Sequence, residues 1–117
     1  MTPHCMLLLL TLCTASRPVR ALFAVQATAG SVDWIQTRQF VDDPRWREGN
    51  PLARPFVHSD ATLVPAAAAE VFGCAWIAEK MRHSRHKLLR RTWWVWQGMP
   101  VVLHVWAIEH NARTKAP

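Results

Sequence analysis

Eight side chains carry the polar chemistry of this sequence: Asp33, Thr37, Glu48, Asn50, Glu70, His104, Glu109 and His110. Carboxylates with imidazoles form the donor set of zinc or iron, and the same pair types hold and pass protons. A metal or proton site would draw on Asp33, Glu70, His104, Glu109 and His110. Spacing gives that site no support, because the chain holds neither His-Glu-x-x-His nor Glu-x-x-His. The plainer reading weighs more: interhelical hydrogen bonding, with a protonated Glu70 bonded to His104 or to carbonyls freed near Pro100. Asp33 and Thr37, four apart, suit a hydrogen bond along one helix side. Glu48 and Asn50, before Pro51, suit a turn that fixes a loop against helix ends. No cofactor is implied.

Nucleophilic catalysis lacks a context. Ser16, Ser31, Ser59 and Ser84 stand outside any Gly-x-Ser-x-Gly elbow. Cys74 lies among apolar residues, where a thiol loses reactivity. The four glycines form no phosphate-cradling loop. Of the three cysteines, Cys5 and Cys13 lie in the N-terminal apolar run, so Cys74 has no internal partner and no disulfide framework exists.

The elements that must position these groups follow from apolar blocks. The chain has 117 residues, enough for one domain, and its hydrophobic half is gathered into three blocks between charged stretches. Met6 to Ala15 is an uncharged run with the length of a signal-peptide core, short for a span of about 20 residues. Two small-residue exits follow, Val19-Arg20-Ala21 and Ala27-Thr28-Ala29. In a second reading the start lies downstream and Arg17 and Arg20 form the basic flank. Residues 1–29 are thus a signal peptide or an N-terminal anchor.

Ser31 to Val41 lacks breakers and starts at a plausible Ser31 cap, which predicts a helix, or the end of one beginning near Leu22. Asp42 to Pro65, with Pro44, Pro51, Pro55 and Pro65, predicts a loop. Ala61 to Ala78 covers about 27 Å as a helix, enough to span a bilayer. Ala66, Ala69 and Gly73 give it a small-residue face for another helix. The third block, Thr92 to Ile108, contains Pro100, which should kink it. Counted in from the connecting loop, Glu70 and His104 differ in depth by roughly 6 Å, so contact between them is not implied.

Charge sets the orientation. The net charge is +6, and six of the 14 Lys and Arg fall between Lys80 and Arg91. A basic connector between apolar blocks marks a cytoplasmic loop rather than a nucleic-acid surface. In Ser31 to Asp60 arginines and carboxylates nearly balance, so that segment faces outward. A signal-like N-terminus sends residue 31 the same way. Trp76, Trp93, Trp94 and Trp96 flank the basic loop, and Trp34, Trp46 and Trp106 lie toward the other end, like two interfacial belts.

The strings Asp33-Trp34-Ile35-Gln36-Thr37-Arg38 and Glu48-Gly49-Asn50-Pro51-Leu52, with His110-Asn111 after the last block, resemble a group of small uncharacterised bacterial membrane proteins. Their core reads D-W-x-Q-T-R, then E-x-N-P-[IL], then two hydrophobic helices. Ala53-Arg54 departs from the leucine and glycine expected there. The resemblance spans Asp33 to Asn111 and implies topology, not a reaction.

The expectation is an all-α membrane protein: a signal or anchor over 1–29, an outward helix and Pro-rich loop over 30–60, a two-helix transmembrane hairpin over 61–111 with a basic cytoplasmic loop over 79–91, and a short tail. Its place is a bacterial inner membrane, and its partners are the lipid bilayer and a second copy or another membrane protein, not nucleic acid. The leading functional expectation is a non-enzymatic protein that packs through Ala66, Ala69 and Gly73. A membrane enzyme or metal-binding protein using the polar cluster, and a secreted soluble helical domain, stand as alternatives.

Overall fold

The computed structural model describes residues 2–48 and 51–114. Four helices follow one another: α1 (Pro3–Thr14), α2 (Arg17–Phe40), α3 (Asp60–Arg82) and α4 (Lys87–Thr114). No strand occurs among the described residues. The fold is all-helical, as expected.

The second helix starts at Arg17, well before Ser31 and five residues before the alternative start near Leu22. Pro18 sits in its first turn, where a missing N–H costs nothing, and nothing interrupts the run from there to Phe40. Ser31 is therefore no cap: it lies mid-helix and its hydroxyl donates to the Ala27 carbonyl at 2.6 Å. The helix stops before Asp43-Pro44, because a residue ahead of proline avoids helical angles. The third helix starts at a capped end. Ser59 is extended and its Oγ accepts from the Ala61 amide at 3.2 Å, with Asp60 beside the positive helix end and Lys80 and Arg82 beside the negative one. Pro65 lies in its second turn.

The basic connector is shorter than 79–91. Helix α3 runs through Arg82 and α4 resumes at Lys87, leaving His83 to His86. Charged residues on either side are good helix formers, so apolar patterning marks the helix ends too early. The His86 amide donates to Ser84 Oγ at 3.1 Å and closes the turn.

Three contacts fix the α2–α3 pair as antiparallel. Ser16 N–H and Oγ both donate to Glu79 Oε2, at 3.1 and 2.8 Å. Gln26 Nε2 donates to Glu70 Oε1 at 3.2 Å. Arg38 Nε meets Asp60 Oδ1 at 2.7 Å. Helix α4 returns parallel to α2: Gln97 Nε2 donates to the Val19 carbonyl at 2.9 Å, and His104 meets Asp33. The three long helices form the bundle, and α1 touches α3 alone among them to any extent.

Leu63, Ala67, Val71, Ala75 and Ala78 make the buried stripe of α3, at helical i, i+4 spacing and mostly of small residues, so that its neighbours approach closely. Ala15, Val19, Ala75 and Ala78 cluster at the lower end, with Phe23 and Trp93 packed against them. Phe23 meets Phe72 edge-on at 5.0 Å. The largest fully buried side chains, however, are Gln26, Gln97 and Val19. Large apolar side chains face out instead: Ile35, Val64, Trp76, Trp94, Val102, Leu103, Val105 and Trp106 are all more than half exposed, from 53% to 67%. A soluble bundle arranges these classes the other way round.

One helix among the described residues, α3, is long and apolar enough to cross a membrane, with a mean hydropathy of 1.5 over its best window. Its partner α4 falls short of that measure, so composition alone does not supply both spans of the expected hairpin. The free cysteines Cys13 and Cys74 are unbridged.

Candidate functional site

The upper half of the bundle brings three of the eight expected residues together. Asp33 comes from α2, Glu70 from α3 and His104 from α4. His104 Nδ1 lies 2.8 Å from Asp33 Oδ2, and His104 Nε2 lies 2.9 Å from Glu70 Oε1. The imidazole is 10% exposed, Asp33 15% and Glu70 36%. One ring thus ties all three helices.

The depth difference expected between Glu70 and His104 is closed by side-chain direction. In a helix each Cα–Cβ bond tilts toward the N-terminus. Helices α3 and α4 are antiparallel, so Glu70 leans toward one end of the bundle and His104 toward the other, and the two meet.

Proton counting fixes the charge. Each ring nitrogen faces a carboxylate oxygen at hydrogen-bond distance, and each such contact takes one proton. Two protons shared among two carboxylates and one imidazole leave a net charge of −1, whether the ring holds both or one carboxyl holds one. The contact of Gln26 Nε2 with Glu70 adds a neutral donor.

Close packing holds the ring. Trp34 meets His104 edge-on, 5.6 Å between centroids at 88°. Gly30 makes this approach achievable. A Cβ there would lie 3.0 Å from Trp34 Cζ2 and 3.3 Å from His104 Nε2, so one of the two rings would have to move.

Below this trio the seam stays polar. Val19, Gln26 and Asp33 recur at seven-residue intervals on α2, as do Gln97, His104 and Asn111 on α4. Gln26 Oε1 and Gln97 Oε1 are buried without a hydrogen-bond partner. Sequence reasoning missed Gly30, Gln26 and Gln97. The available signal was the heptad spacing of amides among apolar neighbours, the period of a buried seam in packed helices.

The other expected residues fall elsewhere. Thr37 is buried one turn beyond Asp33, but the Asp33 side chain turns to His104 rather than along its own helix. Glu109 is exposed and pairs with Arg113 on the next turn. His110 is exposed and stacks on Trp106, with centroids 5.2 Å apart. The Glu48 backbone carbonyl accepts from Arg54 Nε at 2.8 Å. Asn50 lies outside the described residues. On α3, Ala69 is exposed and a Cβ on Gly73 would meet nothing within 4 Å. That face is not occupied by the helices of this chain.

Above the trio opens a cavity of about 1220 Å³, roofed by the loop after α2. Asp33, Glu70 and His104 line its floor; Trp34, Trp106 and Phe40 stand in its walls; Trp46, Leu52 and Phe56 come from the loop. Thr37, Glu48, Ala66 and His110 also face it. At the mouth, Arg45 binds Asp43 through Nε at 3.1 Å and Nη2 at 2.8 Å. Those hydrogen bonds hold the Asp43 carboxyl down at about 2, so it stays ionised above that pH.

Among the described residues no group of three or more His, Cys, Asp or Glu is arranged to hold a metal ion. The geometry gives the reason: both nitrogens of His104 are already directed at carboxylates, so the ring has no lone pair to share with Asp33 and Glu70 at a common centre.

No protein-family model matches the chain, and neither curated proteins nor solved structures yield a match.

The proton count yields a stability contrast. Asp33→Asn keeps an acceptor for His104 and should cost about 1 kcal/mol, the scale of one altered hydrogen bond. His104→Phe removes the ring that joins the two carboxylates, leaving Glu70 with the neutral Gln26 donor, and should cost about 3 kcal/mol or more, the scale of a broken buried charge pair. Thermal unfolding of both variants in mild detergent measures the difference, and equal losses would contradict the bridging role of the ring.

Proposed function

We propose that this chain is a small integral membrane protein in which α2, α3 and α4 all traverse the bilayer, with the basic end of the bundle in the cytoplasm. Its role is non-enzymatic: it associates through its outer surface with a second copy or another membrane protein. The observation that carries this reading is the distribution of side chains: Gln26, Gln97 and His104 are buried and Asp33 nearly so, while Trp76, Trp94, Val102, Leu103 and Trp106 are more than half exposed. In lipid an exposed leucine costs nothing, while a polar group must find its partner within the protein.

Hydropathy averaging under-scores α2 and α4 for a physical reason. It counts Gln26, Asp33, Gln97 and His104 as if they faced solvent or lipid, whereas Gln26, Gln97 and His104 are buried and Asp33 nearly so. Charge supports the orientation. Arg17 and Arg20 lie at the same end of the bundle as Lys80, Arg82, Arg85, Lys87, Arg90 and Arg91, with Glu79 the one acidic residue beside them. That collects eight of the 14 Lys and Arg at one end. Positive residues stay inside, so the loop of residues 41–59, the cavity mouth and the end of α4 face outward, in a bacterial inner membrane.

This reading also makes α2 the first span, with Arg17 and Arg20 as its flank, and it retains the segment that a cut after Ala29 would remove. Val19 and Gln26, both fully buried, belong to that segment. The secreted soluble alternative fares worse, because it would leave the tryptophans and valines of α4 in water. The enzyme alternative has no ring nitrogen at the trio that is not already engaged by a carboxylate.

Reporter fusions test the topology. A fusion at His86 should be active only in the cytoplasm, and fusions at Gly49 and Pro117 only outside. An externally active His86 fusion overturns the orientation. Carbonate washing should leave the protein in the membrane, and release to the supernatant would remove the membrane reading altogether.

Cleavage has its own readout. The intact mass of protein extracted from membranes should include Val19 and Gln26. A mature chain beginning at Gly30 would contradict the retained first span.

Association has a clean variant. Gly73 has open space at its Cβ position, so Gly73→Leu should leave the bundle folded. If Ala69 and Gly73 contact another helix, Gly73→Leu should reduce crosslinked assemblies several-fold in membranes. Undiminished crosslinking would exclude that face.

A further inference from the structure

We propose that the outer cavity is a binding site for a hydrophobic organic monocation, with the apolar body of the ligand between the aromatic walls and its charge above Asp33 and Glu70. The first support is volume. At about 1220 Å³, the space is large for a ligand site of its kind and includes an open mouth. It is far more than bridging waters require.

The second support is charge. The Asp33–His104–Glu70 trio carries −1 with both of its hydrogen bonds made. Among the described residues the cations near the trio have acidic neighbours of their own or lie at the rim of the cavity. Gln26 is neutral; Arg38 is taken by Asp60 and by the Val57 carbonyl at 3.2 Å; Arg45 is taken by Asp43. Arg47 and Glu48, of opposite charge, both line the cavity and add no net charge to it. A net negative charge at the floor of a low-dielectric pocket is costly without a counter-charge, and a cation lowers that cost where an anion raises it.

The third support is the wall. Trp34 and Trp106 face the cavity, and indole faces attract cations more strongly when water is excluded. Phe40 and Phe56 add apolar area that a hydrated metal ion or a small ammonium would not use. The arrangement therefore favours a bulky, weakly hydrated cation over an inorganic one.

The test uses two ions of matched size and shape, tetraphenylphosphonium and tetraphenylborate, with the full chain in a neutral detergent. Binding is read by equilibrium dialysis and by quenching of tryptophan fluorescence. The cation should bind saturably, one per chain, and at least tenfold more tightly than the anion. Asp33→Asn and Glu70→Gln should each weaken cation binding about tenfold or more, and Trp106→Leu several-fold. Equal binding of the two ions would show an apolar space without charge selection and overturn the proposal, as would cation binding unchanged in both carboxylate variants. Should those variants fail to fold, Asn111→Arg supplies the same test, since Asn111 lines the cavity outside the trio. An arginine there should abolish cation binding, and undiminished binding would overturn the site.

Discussion

His104 is held on both ring nitrogens, by a carboxylate from the helix before it in the fold and by a carboxylate from the helix across from it. Each partner constrains the other. Nδ1 reaches Asp33 with the ring plane pointing Nε2 at Glu70, and Gly30, having no side chain, leaves the ring and Trp34 room to pack this closely. Removing any one of these leaves a buried polar group with nothing to bond. The register of three helices is therefore coupled to the orientation of one imidazole, and Trp34 packs against that ring edge-on to keep it there.

Around this tie the usual division of labour between residue types is reversed. The small residues of α3, Ala67, Ala75 and Ala78 among them, let helix backbones approach, while amides and the trio fill the space between. Most bulky apolar groups of α4, such as Trp94, Val102, Leu103 and Trp106, are left for the outside. In water such a molecule would be driven to bury Trp94, Val102 and Leu103, each more than half exposed among the described residues. In hydrocarbon the same surface is already in its preferred medium. On the proposed membrane reading, close packing and interhelical hydrogen bonding hold the helices together rather than the expulsion of water.

The sequence disclosed the helical class, the apolar blocks and the importance of Glu70 and His104, because ionisable residues inside apolar runs are conspicuous. It placed Asp33 with them only in the metal or proton reading, while the plainer reading gave Asp33 a bond along its own helix. Asp33 sits beside Thr37 on the same helix face, and a local bond looked sufficient; only the packing of α2 against α4 turns it inward. The helix ends were misplaced for a related reason. Patterning by hydrophobicity stops where charges begin, yet Glu79 to Arg82 and Lys87 to Arg91 continue their helices with ease. Ser31 resembles a cap in sequence, but with Pro18 far upstream and no breaker between, the helix had already begun. Gln26 and Gln97 passed unnoticed because single amides in apolar runs attract attention only when their seven-residue spacing to Asp33 and His104 is laid out on parallel helices.

The distance along the chain between the partners of this tie has a consequence for biosynthesis. Asp33 and His104 are 71 residues apart, and Val19 and Gln97 are 78 apart. At ordinary rates of translation α2 is complete on the order of ten seconds before the residues that satisfy it exist. During that interval Gln26 gains Glu70 as a partner once α3 is made, while Asp33 waits for the imidazole that only α4 supplies. Assembly of this small bundle is thus gated by its last helix, and a chain interrupted before residue 104 would carry an orphaned carboxylate that marks it as unfinished.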